Sequence, residues 1–259
     1  MKKDILRQVV VVVAAMAMIV INALANALPL NNQTTGEISD RFPVYFVPAG
    51  YVFSIWGLIY LGMIAFAVYQ ALPAQRENKR LRRIGGLFLL ASLANIAWLF
   101  LWHYEHFPLT LLAMFVLLIC LILLYLRLNV GREKVSPFEK WFVHVPFSIY
   151  LAWITVATIA NVTSVLYDIH WSGWGILDQA WAVIMIFAAT VIAIAVHLTR
   201  NDVAYMMVIL WALAGIAVKH METPWVSTAA WIASGLVVVA TIFGIFIVTR
   251  RRESPLTIE

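Results

Sequence analysis

Almost all the positive charge of this chain falls on one side of a series of long apolar runs, and that asymmetry constrains the fold more than any motif does. The runs cover 5–28, 48–72, 84–102, 108–128, 143–166, 179–198, 203–217 and 226–248. Most have the about 17–25 residues that a helix needs to cross a hydrocarbon core of ~30 Å, and the seventh is the shortest. If the chain crosses at every run, 16 of its 18 Lys and Arg share one face and only Arg41 and Lys219 lie on the other. An odd number of crossings would scramble that partition, so charge and hydropathy support the same count. The expectation is an all-α polytopic membrane bundle of eight transmembrane helices. By the positive-inside rule it sits in the cytoplasmic membrane with both termini in the cytoplasm. The net charge of +5 resides in these short basic loops, where it orients the spans and meets anionic headgroups, so nothing calls for nucleic acid. The first run, longer than a signal-peptide core and without a small-residue cleavage site, reads as a retained helix.

The membrane interior excludes several kinds of chemistry. Asp, Glu, Lys and Arg are absent from the centre of every run, so no proton relay or gating-charge ladder is available at mid-depth. His103, His106, His170 and His220 fall at one set of helix ends, and His144 and His197 at the other. They read as interfacial polar residues; the His103–His106 spacing lacks a third ligand, and no metal site is expected. Cys120 lies mid-run and reads as packing. The 29–47 connection is the longest hydrophilic one and reads as a cap or lid.

Aromatic rings and amides fill the place that charge leaves empty. With 11 Trp, 9 Tyr and 14 Phe the chain has more rings than interfacial belts need, and the surplus falls in stripes. Phe53, Trp56, Tyr60 and Met63 share one helical face, as do Asn95, Trp98 and Trp102. In the fifth run Trp153, Ala157 and Asn161 follow one another at i+4, with Tyr150 beside them. Ordinary helix packing with amide glue accounts for such stripes from periodicity alone. Their depth favours a pocket, because Asn22, Asn26, Asn95, Trp98 and Asn161 all fall in the half beneath the 29–47 loop.

At these stripes the chain resembles the TspO/MBR family of tryptophan-rich sensory proteins. Tyr150-Leu-Ala-Trp153 followed by Asn161 is similar to the family's fifth-helix signature PYLAWxxxAtxLN, and Asn95-Ile-Ala-Trp98 resembles its third-helix N-x-x-W. Pro43, Pro48, Phe53, Trp56 and Tyr60 resemble the start of its second helix, although Phe46, Ala49 and Ile149 replace a family Trp and two prolines. The resemblance covers the first five runs. It implies a five-helix ligand-binding domain over 1–167, followed by an appended three-helix region with a basic tail over 168–259.

The implied function is a membrane sensor, receptor or carrier for planar lipophilic ligands. No cofactor is required, and a porphyrin or haem-like tetrapyrrole is the implied ligand. Trp56, Tyr60, Trp98, Tyr150 and Trp153 would stack on or enclose it, Asn95 and Asn161 orient it, and Ala157 leave it room. The implied partners are membrane lipids and the lipophilic ligand, with a homodimer allowed. The resemblance does not by itself make the chain an enzyme. A facilitative permease for a small neutral solute and a membrane scaffold, docking through small residues such as Ala212, Gly215 and Ala229, are the alternatives.

The charge partition predicts the topology directly. In a Cys120→Ala background, Thr35→Cys should react with a membrane-impermeant maleimide added outside the cell and not with one confined to the cytoplasm; the reverse labelling would invert the topology.

Overall fold

The computed structural model describes residues 2–28 and 30–253, with side chains through Phe246. Pro29 at the expected loop start, and the side chains of Val248, Arg250, Arg251 and Arg252 at the expected span end and basic tail, lie outside the described residues. In chain order the helices are α1 (Lys2–Ala27), α2 (Thr35–Asp40), α3 (Ile55–Ala71), α4 (Lys79–His103), α5 (Phe107–Arg127), α6 (Pro137–Glu139), α7 (Val145–Asp168), α8 (Asp178–Arg200), α9 (Val203–Lys219) and α10 (Pro224–Glu253). Every apolar run forms one of the long helices, and α2 and α6 are short additions. The described residues contain no strand. Among the described residues seven helical segments are long and apolar enough to cross a membrane. The eighth, α9, has 17 residues, or about 25 Å at the usual rise, and is the short run seen in the sequence.

Local chemistry sets the helix ends. The Asn78 side chain accepts from the backbone of Arg80 and Leu81 to start α4, and the Ser136 hydroxyl accepts from Glu139 to start α6. Asn201 ends α8 in the left-handed conformation, and Asp202 then caps α9 by accepting from the Tyr205 backbone, so two residues reverse the chain between neighbouring helices. Residues 137–168 form one continuous helical segment that widens to a π turn at Lys140–His144. Pro146 explains the widening, since its ring has no N–H and crowds the carbonyl four residues back. Gly62 lets α3 cross α7 closely at that same Pro146, whose Cβ would lie 3.1 Å from a Cβ placed on the glycine.

The helices form one bundle with two distinct ends. Helices α1, α3, α4, α5 and α7 pack on one another; α8, α9 and α10 pack together and join the rest chiefly through α9 on α7. The junction expected at 167/168 falls at the end of α7. Contact across it is close: the Ala49 N–H donates to the Gly215 carbonyl at 3.1 Å, and Gly215 has no side chain because Val52 occupies its place. Of the small residues considered for scaffolding, Ala212 and Ala229 are buried inside the bundle.

At one end the basic segments interlock, with Arg82 on Asp4 at 2.7 Å, Arg7 on the Arg76 carbonyl and Arg127 on the Arg83 carbonyl. Arg80 makes a two-pronged pair with buried Glu139, Nε to Oε1 at 2.6 Å and Nη2 to Oε2 at 2.8 Å. At the other end the 30–47 segment lies across the helices. These are called the basic end and the capped end below.

Asp202, only 7% exposed, ties the two groups of helices together at the basic end. Its Oδ2 accepts the Tyr125 hydroxyl of α5 at 2.8 Å and the Ser148 hydroxyl of α7 at 2.6 Å, while Oδ1 caps α9. Asp202→Ala would leave two buried hydroxyls and a backbone N–H without an acceptor. It should lower the unfolding free energy by about 1–3 kcal/mol, measured by thermal or denaturant unfolding in detergent.

Candidate functional site

The three aromatic and amide stripes converge because buried polar groups in a membrane must bond to one another. The Asn22 amide of α1 donates to Asn95 Oδ1 of α4 at 2.7 Å, and the Asn95 amide donates to the Tyr150 hydroxyl of α7 at 3.0 Å. Tyr150 closes the circuit on Met18 of α1. A second relay runs from Trp98 Nε1 to Asn161 Oδ1 at 3.1 Å and from the Asn161 amide to Thr110 Oγ1 of α5 at 2.8 Å. Rings fill the space between. Trp56 stacks on Tyr60 at 5.5 Å and meets Tyr150 and Trp153 edge-on at 6.0 and 6.4 Å; Phe53 meets Trp153 at 5.6 Å.

These contacts enclose a cavity of about 50 Å³, lined by Trp56, Asn95, Trp98, Trp153, Ala157 and Asn161 of the expected site. Tyr60 and Tyr150 lie behind it as supports and do not line it. Thr35, Ser39, Trp102, Met114 and Ser164 also line it and were not singled out as ligand contacts by the sequence. Thr35 and Ser39 belong to the cap, and no periodicity in a loop could have indicated them. The amides of Asn95 and Asn161 are spent on the relays. One lining donor is left over: Trp153 is 2% exposed, and its indole N–H has no partner among the described residues.

A folded lid closes the cavity. Thr34 and Glu37 form a reciprocal capping box at the start of α2. Below it Ile38 and Phe42 pack with Trp102, Phe107 and Val165 in a separate apolar cluster. His103, read from the sequence as an interfacial polar residue at a helix end, is fully buried here beneath the lid. Its Nδ1 lies 3.1 Å from the Leu30 carbonyl, which can only accept, so Nδ1 carries the proton and Nε2 takes the Thr35 hydroxyl at 3.0 Å. Trp102 Nε1 donates to the Thr35 carbonyl. Arg41–Glu105 at 2.9 Å and Lys219–Asp40 at 3.1 Å fasten the lid's far end through exposed pairs worth about 0–1 kcal/mol each. Among the described residues no cluster of His, Cys, Asp or Glu could hold a metal.

A second and larger cavity, about 550 Å³, opens at the capped end on the other face of α7. Ile159, Val162, Thr163 and Leu166 of α7 face Trp181, Ala182 and Met185 of α8 across it, and the segment Pro43–Phe46 borders it. Sequence periodicity gave no sign of this space, because it forms between two helices that the family resemblance separates.

The lid makes a pH prediction. The Thr34 backbone N–H, helped by its hydroxyl, holds the Glu37 carboxyl below the usual carboxylate range. A lowered pKa in the folded state stabilises the lid above the unfolded value, and that contribution disappears as pH falls through the folded value. Amide exchange in 34–40 should therefore become relatively faster at acidic pH, after correction for intrinsic rates. Glu37→Gln, which keeps the capping geometry and removes the titrating group, should abolish that pH dependence.

Comparison with known proteins gives one family. Residues 8–243 match the family model described as TSPO-like protein, a match that runs through α8 and α9 into α10. No curated protein and no solved structure matches significantly.

Proposed function

This chain belongs to the TSPO-like family, and from that premise we propose that it is a membrane sensor or carrier that takes a planar lipophile of the tetrapyrrole class beneath the lid. The observation that carries the reading is the unpartnered Trp153 N–H beside a cavity walled by Trp56, Trp98 and Trp153 and roofed by a separately folded segment. An unbonded buried donor is costly, so an acceptor supplied by a ligand, such as a carboxylate or ring nitrogen, would gain a bond the closed protein leaves unmade. Rings on three sides offer edge and face contacts to a flat aromatic body.

Size dictates the mechanism. About 50 Å³ admits one or two waters, whereas ligand pockets usually measure about 300–1,000 Å³. Binding a macrocycle therefore requires the lid to lift and Phe53 and Trp56 to swing away from Trp153. Lifting it must part the exposed ion pairs and the Ile38–Phe42 cluster with the His103 and Trp102 bonds to the lid, while the buried amide relays hold α1, α4, α5 and α7 in place. Lid position thus becomes the signal in a sensor, or the gate in a carrier.

The test is a titration of the full chain with a free-base porphyrin, followed by the porphyrin absorption band and by tryptophan quenching. Trp153→Phe keeps the ring and removes the N–H, and should weaken binding by about 0.5–1.5 kcal/mol; Trp231→Phe, on the exposed face of α10, should leave it unchanged. Equal affinity in all three proteins would defeat the reading. Passage of small neutral solutes through liposomes bearing the protein, without porphyrin binding, would favour the permease.

A further inference from the structure

The cavity between α7 and α8 has a chemistry of its own. Its volume of about 550 Å³ lies in the range of small-molecule sites, whereas the tryptophan cavity holds only about 50 Å³. Its floor is apolar, from Val44, Ile159, Val162 and Met185. Towards the capped end the wall turns aromatic, with Tyr45, Tyr167, Trp171 and Trp181. Trp171 and Trp181 are 5.5 Å apart, and Trp181 is held by its N–H on the Gly173 carbonyl at 3.0 Å; the Tyr45 hydroxyl accepts from Gln179 at 3.4 Å. The aromatic wall is thus fixed before any ligand arrives.

The charge at this end has a definite sign. Glu37, Asp40, Glu105, Asp168, Asp178 and Glu222 stand against Arg41 and Lys219. Both bases are engaged, Arg41 with Glu105 and Lys219 with Asp40. Burial, and then the neighbouring Lys219 charge, lowers the His220 pKa below its usual value, so that imidazole adds no positive charge near neutral pH. His170, the histidine on the cavity wall, has its Nδ1 at 2.8 Å from the Asp168 carbonyl, which fixes a proton on that nitrogen. The carboxylate on the cavity wall is Asp178, which has no basic partner among the described residues. Ring faces carry the negative side of the aromatic quadrupole, so a carboxylate among indoles and phenols favours a cation over a neutral or anionic group.

We propose that this cavity is a second ligand site, separate from the tryptophan cavity, that takes a compact lipophilic cation: an apolar body on the floor and a positive centre between the Trp171–Trp181 pair and Asp178. An anionic amphiphile is disfavoured by the same carboxylates. The site requires both groups of helices, since α7 supplies one wall and α8 the other, and it stands whether or not the lidded cavity binds a tetrapyrrole.

Two probes of nearly the same shape and opposite charge test it. Equilibrium dialysis of radiolabelled tetraphenylphosphonium and tetraphenylborate is carried out against the full chain in a neutral detergent, with protein-free micelles subtracted for partitioning. Saturable phosphonium binding at about one per chain, with the borate much weaker, is the expected result. Asp178→Asn, an exposed change that leaves the fold alone, should raise the phosphonium dissociation constant about threefold to fivefold. Met185→Trp, which fills the floor, should abolish it, and Trp153→Phe should leave it unchanged. Equal binding of the two ions would reduce the site to an apolar crevice and overturn the proposal, as would phosphonium binding indifferent to both Asp178→Asn and Met185→Trp. Weakened porphyrin binding in Trp153→Phe with phosphonium binding intact would separate the two sites; porphyrin binding blocked by Met185→Trp instead would move the tetrapyrrole to this cavity and overturn the assignment to a cation.

Discussion

Inside a hydrocarbon slab a polar side chain has only the protein to bond to, and this bundle is arranged around that requirement. Asn22, Asn95 and Tyr150 link α1, α4 and α7 in one circuit, and Trp98, Asn161 and Thr110 link α4, α7 and α5 in another. Each such bond contributes only about 0.6–1.7 kcal/mol in membrane proteins, but its directionality fixes how each helix is rotated about its axis. Lipid-facing apolar residues cannot do that, because one apolar face dissolves in lipid as well as another. Once the amides are paired, the tryptophans on the same faces have to meet, and the cavity among them follows.

The two ends solve a different problem. At the basic end two buried carboxylates are well bonded: Glu139 takes both prongs of Arg80, and Asp202 takes two hydroxyls and a helix cap. A buried carboxylate without such partners would be strongly destabilising, so these contacts lock the connections rigidly. The capped end is held by an apolar cluster, a short capped helix and ion pairs exposed to water. This segment lies over the tryptophan cavity.

Helix α7 serves both cavities. Its residues Ala157, Ala160, Asn161 and Ser164 face the closed tryptophan cavity, and Ile159, Val162, Thr163 and Leu166 face the open one. The segment after α2 borders the open cavity at Pro43–Phe46, while Thr35 and Ser39 roof the closed one. A single stretch of chain thus touches both spaces, and its displacement changes both. The TSPO-like family match through Phe243 spans the helices that form both walls.

The amino-acid sequence by itself determined the helical class, the number of apolar runs and the separation of a basic end from a capped one. These depend on run length and charge position, which are one-dimensional properties. It also grouped Trp56 with Tyr60, Asn95 with Trp98, and Trp153 with Ala157 and Asn161 on common helical faces, because helical periodicity fixes which residues share a face. Only the tertiary structure decided that Tyr150 and Tyr60 stand behind the cavity, that the amides are consumed by one another, and that the Trp153 N–H is left over. Burial of His103 beneath the lid and the space between α7 and α8 were equally invisible, since both depend on which helices become neighbours. Neighbour choice is set by shape and hydrogen-bond geometry between distant segments, to which a pattern read along one helix is blind.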